Sequence, residues 1–189
     1  LDTTQFTWAT KTPDPLPSSP SWVDVNNDGL LDAALGTWRS YPPGDLQIYR
    51  NDGKGRFLSE QTLPKDYNFV SLFADLDGDR FQDLIAVSDF GHTTWYRNNR
   101  NGIFLEIGSS DVENGMGAAT GDIDNDGDLD VFISSIRDFD GSQKNWGETG
   151  NRLLVNDGDG NLTDITTAAG VRDGFWGWGS VFSDFDNDG

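Results

Sequence analysis

One acidic phrase recurs four times along this 189-residue chain and limits what the chain can become. It reads Asp24-Val-Asn-Asn-Asp-Gly-Leu-Leu-Asp32, Asp75-Leu-Asp-Gly-Asp-Arg-Phe-Gln-Asp83 and Asp122-Ile-Asp-Asn-Asp-Gly-Asp-Leu-Asp130, with a partial copy at Asp184-Phe-Asp-Asn-Asp-Gly189. Oxygen side chains at phrase positions 1, 3, 5 and 9 are what a hard cation such as Ca²⁺ requires. Left without a cation the cluster repels itself, at about 1 kcal/mol per close carboxylate pair in water and more when partly buried. A single copy reads as a polar turn in which Asp and Gly are favoured by turn chemistry. Three complete copies at a regular spacing select the metal-loop reading instead.

The formal charge of −19, from 32 acidic and 13 basic residues, is therefore largely local metal chemistry rather than an acidic tail. The surplus argues against nucleic acid or an anionic membrane surface as a partner. No cysteine is present, which excludes disulfides, Cys-ligated zinc and thiol catalysis. No run of 18 or more apolar residues occurs, so no membrane insertion is expected. Weak Ca²⁺ sites fill readily outside cells and poorly in cytosol, which points to an extracellular, cell-surface or periplasmic location. The chain starts at Leu1 without a signal peptide and reads as a mature chain or an excised piece.

The phrases begin at 24, 75, 122 and 184, so the spacings are 51, 47 and 62 residues. Periods of this size signal propeller blades or other stacked repeats. Within each period four short apolar runs recur in order. In the first they are Ser21-Trp-Val, Leu31-Asp-Ala-Ala-Leu, Leu46-Gln-Ile-Tyr-Arg-Asn and Arg56-Phe-Leu-Ser-Glu. They are bounded by Gly, Asn and Asp and read as strands. Asn51-Asp-Gly-Lys-Gly55 and Asn156-Asp-Gly-Asp-Gly160 are hairpin signals between the third and fourth runs, and Asn98-Asn-Arg-Asn-Gly102 is a looser version. No helical period stands out. Four antiparallel strands per repeat make a propeller blade.

The expected architecture is all-β: a β-propeller of four-stranded antiparallel blades, incomplete in this span. Residues 1–19 carry an outer strand of a preceding blade, at Gln5–Thr10, and a linker. Residues 20–66, 67–114 and 115–173 are three full blades, and 174–189 start a further one with a first strand at Trp178–Asp184. The remaining blades are then expected elsewhere in the same chain, and both ends of the fragment should expose unpaired blade surfaces.

Other calcium loops fit poorly. An EF-hand needs a bidentate Glu at position 12 between two helices; here position 12 is Leu35, Ala86 and Ile133, each within an apparent strand. Dockerin modules place a helix after the loop, and thrombospondin-type repeats are Cys-rich. The phrase Asp-x-Asp/Asn-x-Asp-Gly-x-x-Asp followed by apolar residues resembles the FG-GAP repeat of integrin α-subunit propellers and the related VCBS repeats. The stretch from Gly150 to Val171, with Trp176-Gly-Trp-Gly and the last acidic phrase, is similar to propellers accompanying UnbV/ASPIC modules, as in the cartilage acidic protein family.

That resemblance implies side-chain ligands Asp24, Asn26, Asp28 and Asp32; Asp75, Asp77, Asp79 and Asp83; Asp122, Asp124, Asp126 and Asp130; and, in the partial copy, Asp184, Asp186 and Asp188. Position 7 (Leu30, Phe81 and Asp128) supplies a backbone carbonyl, so the Asp128 carboxylate is expected to face solvent. Position 6 is Gly29, Gly127 and Gly189 but Arg80 in the second loop. If that position needs positive φ, a non-Gly residue costs about 1 kcal/mol, which ranks the second site the weakest complete one.

The function this implies is a calcium-binding module for adhesion or ligand binding, with Ca²⁺ in a structural role and no catalytic constellation. The alternative is a carbohydrate-active propeller, either a lectin or a polysaccharide lyase-like enzyme. The single histidine, His92, reads as a surface residue. Trp22, Trp95, Trp176 and Trp178 read as packing between blades. A protein or glycan partner is expected on the face opposite the calcium loops, where irregular connections carry Trp38, Tyr41 and Trp146 together with Phe90 and His92. Loops on a rigid scaffold are where such contacts concentrate.

Overall fold

Short runs with alternating apolar residues, closed off by Asp, Asn and Gly, pair into sheets because neither neighbour can extend the run. The computed structural model describes residues 20–38, 45–64, 67–112, 114–138 and 147–185. The first sheet comprises β1 (Ser21–Val23), β2 (Asp32–Leu35), β3 (Leu46–Asn51) and β4 (Phe57–Leu63). The second comprises β5 (Asn68–Ala74), β6 (Asp83–Ser88), β7 (Thr93–Asn98) and β8 (Phe104–Ser110). The third comprises β9 (Gly115–Gly121), β10 (Asp130–Ser135), β11 (Arg152–Asn156) and β12 (Leu162–Asp164). Each is a four-stranded antiparallel meander in sequence order. The sole helix among the described residues is one turn, α1 (Thr166–Ala169), ended by Gly170 at φ +69°.

The chain is thus all-β, with three sheets that have the form of propeller blades and do not close a ring. Contacts between β1 and β5, and between β5 and β9, put the first strands of successive blades side by side. Two apolar layers hold the blades together. Val23, Val25, Ala34, Ile48 and Leu63 of the first blade meet Leu84, Tyr96 and Phe104 of the second. Leu76, Ile85, Val87 and Trp95 of the second meet Val131, Ile133 and Leu154 of the third. Burying each of these large side chains contributes about 1.5–3 kcal/mol. Every residue of β6 is buried because a neighbouring blade covers each of its faces. In β4 and β8 most residues are exposed, as an outer strand requires.

Two expectations need revision. The run Trp178–Asp184 is not a strand. A strand needs a partner for its backbone groups, and among the described residues no strand pairs with this run. It still packs against both neighbouring blades: Phe182 meets Phe132 of the third at a centroid distance of 6.3 Å, and Trp178 meets Phe69 of the second at 6.2 Å. Of the four tryptophans expected between blades, only Trp95 is buried there (7% exposed). Trp22, Trp176 and Trp178 are 46%, 52% and 56% exposed. The expected strand at Gln5–Thr10 lies outside the described residues.

Candidate metal centres

Each complete acidic phrase joins the first and second strands of a blade in one register. The residue before position 1 pairs with position 9: Val23 with Asp32, Ala74 with Asp83, Gly121 with Asp130. Within each loop the carboxylates organise the backbone in one repeated way. Asp24 Oδ1 and Oδ2 accept the N–H groups of Asp28 (3.1 Å) and Gly29 (2.7 Å). Asp75 does the same for Asp79 (3.0 Å) and Arg80 (2.8 Å), and Asp122 for Asp126 (3.1 Å) and Gly127 (3.0 Å). At position 5, Asp28, Asp79 and Asp126 each accept the N–H of position 7. At position 9, one oxygen of Asp32, Asp83 and Asp130 accepts the N–H of position 2, and the other accepts the N–H of Asn51, Asn98 or Asn156 at the end of the third strand.

This packing leaves oxygens facing one another. In the second loop one oxygen each from Asp75, Asp77 and Asp83 lie within 4.8 Å of one another, and Asp122, Asp124 and Asp130 do the same in the third. That limit is about twice a Ca²⁺–oxygen distance, so one ion could touch all three. In the first loop position 3 is Asn26, whose Oδ1 is buried and accepts no hydrogen bond. A buried acceptor left bare in a loop that also carries Asp24, Asp28 and Asp32 fits a cation. The donor set is all oxygen, which suits Ca²⁺ and excludes soft-metal chemistry.

The three loops differ in how their charge is met. Arg50, next to last in β3, lies 3.5 Å from both Asp28 and Asp32. Arg97, its counterpart in β7, lies 3.2 Å from Asp77, and Arg100 lies 2.7 Å from Asp79. The third blade has Val155 at that place, and among the described residues no arginine or lysine pairs with the third loop. Proton affinities follow this pattern. Asp28 is held below the usual carboxylate range by the Asn26 amide and the Leu30 N–H. Partial burial works against Asp79, yet the Arg100 hydrogen bond and charge hold it low. Asp124 and Asp128 are pushed up by desolvation and by the neighbouring carboxylates. Burial raises Asp32 and takes Asp83 up to about 6.

Position 6 does take positive φ: +86° at Gly29, +98° at Gly127 and +74° at Arg80. So does position 4, where Asn27, Gly78 and Asn125 sit at +58°, +69° and +59°. The second loop has its glycine at position 4 instead, which leaves Arg80 in a region costing an L-residue about 1 kcal/mol. The Asp128 carboxylate does not simply face solvent. It lies over Gly158 of the β11–β12 hairpin, where an added Cβ would come within 2.4 Å of Oδ2. Asp184 is exposed. Asp186, Asp188, Tyr41 and Trp146 lie outside the described residues.

Trp38 is partly buried, and its Nε1 donates to Asp89 at 2.7 Å while its ring meets Phe69 edge-on. The Asp89 carboxyl is raised by burial, an effect the Trp38 bond opposes. His92 lies 3.0 Å from Asp111 in a largely exposed pair. The sequence reading missed Arg50 and Arg97 as counter-charges and Asn51, Asn98 and Asn156 as loop supports. Their signal was available: Arg-Asn or Val-Asn closes the third run of every repeat.

No curated protein matches the chain significantly. Residues 75–133, from the first ligand position of the second loop through the third loop and into β10, match the family model described as FG-GAP-like repeat; that segment is therefore similar to this repeat family.

Proposed function

We propose that this chain is part of a calcium-stabilised extracellular propeller that serves binding or adhesion and not catalysis. The single observation that carries it is the convergence of carboxylate oxygens in the second and third loops, on a backbone framework that the first loop shares. Similarity of residues 75–133 to the FG-GAP-like repeat supports the reading, as does the absence, among the described residues, of a helix long and apolar enough to cross a membrane. Ca²⁺ bound there would neutralise the carboxylates and lock the turn between the first two strands of each blade. The third loop, which no arginine among the described residues pairs with, would bind most tightly. The second, carrying Arg97, Arg100 and the positive φ of Arg80, would bind most weakly. The finer kinship with propellers that accompany UnbV/ASPIC modules is part of this proposal.

Equilibrium dialysis of the metal-free chain tests it. At least about two Ca²⁺ per chain should bind at millimolar concentration, Asp122→Ala should remove one, and Mg²⁺ should substitute poorly because it demands octahedral geometry. Fewer than two bound ions would overturn the reading.

We place the partner surface on the face opposite the metal loops. Trp38 is engaged by Asp89 and Phe69, which favours a covering role for it. Phe90 stands out there: it is 52% exposed and held at φ +63°, a conformation that costs a bulky residue energy.

A further inference from the structure

The three metal loops are joined by one continuous run of hydrogen bonds that crosses both blade boundaries. Val25, position 2 of the first loop, donates its N–H to Asp32 Oδ2 at 3.1 Å. Its carbonyl accepts from Asn98 Nδ2, in the second blade, at 2.8 Å. The Asn98 N–H donates to Asp83 Oδ1 at 2.8 Å, and Asp83 Oδ2 accepts the N–H of Leu76 at 3.0 Å. The Leu76 carbonyl then accepts from Asn156 Nδ2, in the third blade, at 2.8 Å, and the Asn156 N–H donates to Asp130 Oδ1 at 2.9 Å. Every link ends on a position-9 aspartate or on the backbone of position 2.

The geometry around these links is built for close approach. Asn98 and Asn156 are 2% and 3% exposed, and Val25 and Leu76 are each 1% exposed. A carboxamide that deep needs its donors satisfied, and each amide also bonds the position-8 carbonyl of its own loop, Gln82 or Leu129. The amide oxygens take the N–H of Gly102 and of Gly160, glycines at φ +82° and +78°. A Cβ on Gly102 would sit 2.7 Å from Val25 Cγ2, so only glycine lets the hairpin reach the preceding loop. Asn51 is the internal comparison. It bonds its own loop at Leu31 and its own turn at Gly53, reaches no preceding loop among the described residues, and is only partly buried.

We propose that Asn98 and Asn156 are positioning residues that couple each metal loop to the loop of the preceding blade. A cation in the second loop holds Asp83. Asp83 holds the Asn98 backbone, and the Asn98 side chain holds Val25 and through it Asp32. Asn156 transmits the same restraint from the third loop to the second. Occupancy of one site then tightens its neighbour, because the neighbour's position-2 and position-9 groups are already ordered when its ion arrives. The inference rests on the calcium reading above.

Each loop carries a glycine whose amide reports on it: Gly29, Gly78 and Gly127. The test follows these three amide signals by NMR during Ca²⁺ titration of the full chain, with and without Asp75→Ala, which disables the second site. In the wild-type background Asp75→Ala should weaken the Gly29 and Gly127 transitions by about five-fold or more. In an Asn98→Asp background, which keeps the acceptor for Gly102 and loses the donors, Asp75→Ala should leave the Gly29 midpoint unchanged while still shifting Gly127. Asn156→Asp should give the mirror result, abolishing the shift at Gly127 and preserving that at Gly29. It serves as the independent variant if Asn98→Asp loses the dispersed amide spectrum of the fold. A merely structural asparagine would lower the melting temperature and leave these dependences intact, which overturns the coupling. Three glycines that titrate with no dependence on Asp75 overturn it as well, with the calcium reading standing. No movement of any of the three overturns both.

Discussion

Asp83 makes the metal-free protein sensitive to pH in a direction that can be worked out in advance. Its carboxylate is 1% exposed, and burial pushes its pKa from 3.8 to about 6. The N–H groups of Asn98 and Leu76 oppose that rise, and the charges of Asp77 and Asp79 add to it. A folded-state pKa above the unfolded one means that the folded chain holds the proton longer. Below about pH 4 both states are protonated and nothing is lost. As pH rises through 6 the folded carboxylate must ionise in place, so stability falls. Two pKa units at about 1.36 kcal/mol each amount to about 3 kcal/mol between pH 4 and 7. For a chain of this size that is a drop in melting temperature of about 6–12 °C. Asp28 and Asp79, held low, act with the opposite sign and below this window. Asp32, Asp89, Asp124 and Asp128 share the sign of Asp83, so its part is isolated by difference. The assay is thermal melting in calcium-depleted buffer from pH 4.5 to 7.5, for the wild-type chain and Asp83→Asn. The wild type should lose stability with rising pH more steeply than Asp83→Asn, whatever the variant's absolute stability. Saturating Ca²⁺, which keeps the carboxylate ionised, should flatten the difference. Equal slopes in calcium-depleted buffer would refute the argument.

Two further outcomes follow from backbone strain and exposure. Arg80→Gly relieves a non-glycine residue at φ +74° and should stabilise the chain by about 1 kcal/mol, less the entropy glycine adds to the unfolded state; a melting temperature equal to or below wild type would count against strain at that position. Phe90→Ala removes an exposed ring that meets Tyr67 at 6.2 Å; it should leave melting and Ca²⁺ stoichiometry unchanged while weakening capture of a verified protein or glycan ligand. Unchanged capture would move the partner surface elsewhere.

Much of the fold was legible because its causes are local. Leu46–Asn51 and Arg152–Asn156 read as strands and are strands, since short apolar runs closed by turn residues leave no other use for those segments. The fate of Trp178–Asp184 was not legible. It carries the same apolar signal as Ser21–Val23, yet strand formation depends on a pairing partner and not on the run itself. Exposure of Trp22 and Trp176 was equally hidden, because burial depends on which blade face has a neighbour.

The sequence by itself determined the repeat, the four strands of each blade and the acidic loops between the first two strands, because spacing and turn chemistry are properties of consecutive residues. Aligning one loop with the other two also singled out Arg80 as the non-glycine at a glycine position, and its φ is positive. Only the tertiary structure decided which charges meet those oxygens. Arg97 reaches Asp77 across 20 residues of chain, Arg100 reaches Asp79, and among the described residues no arginine or lysine pairs with the third loop, where Val155 occupies the matching place. It alone decided the reach of Asn98 to Val25 and of Asn156 to Leu76, contacts 73 and 80 residues apart in the chain. No local pattern encodes those contacts: they exist because one blade stacks on the next, and stacking is driven by non-directional apolar burial along the whole blade face.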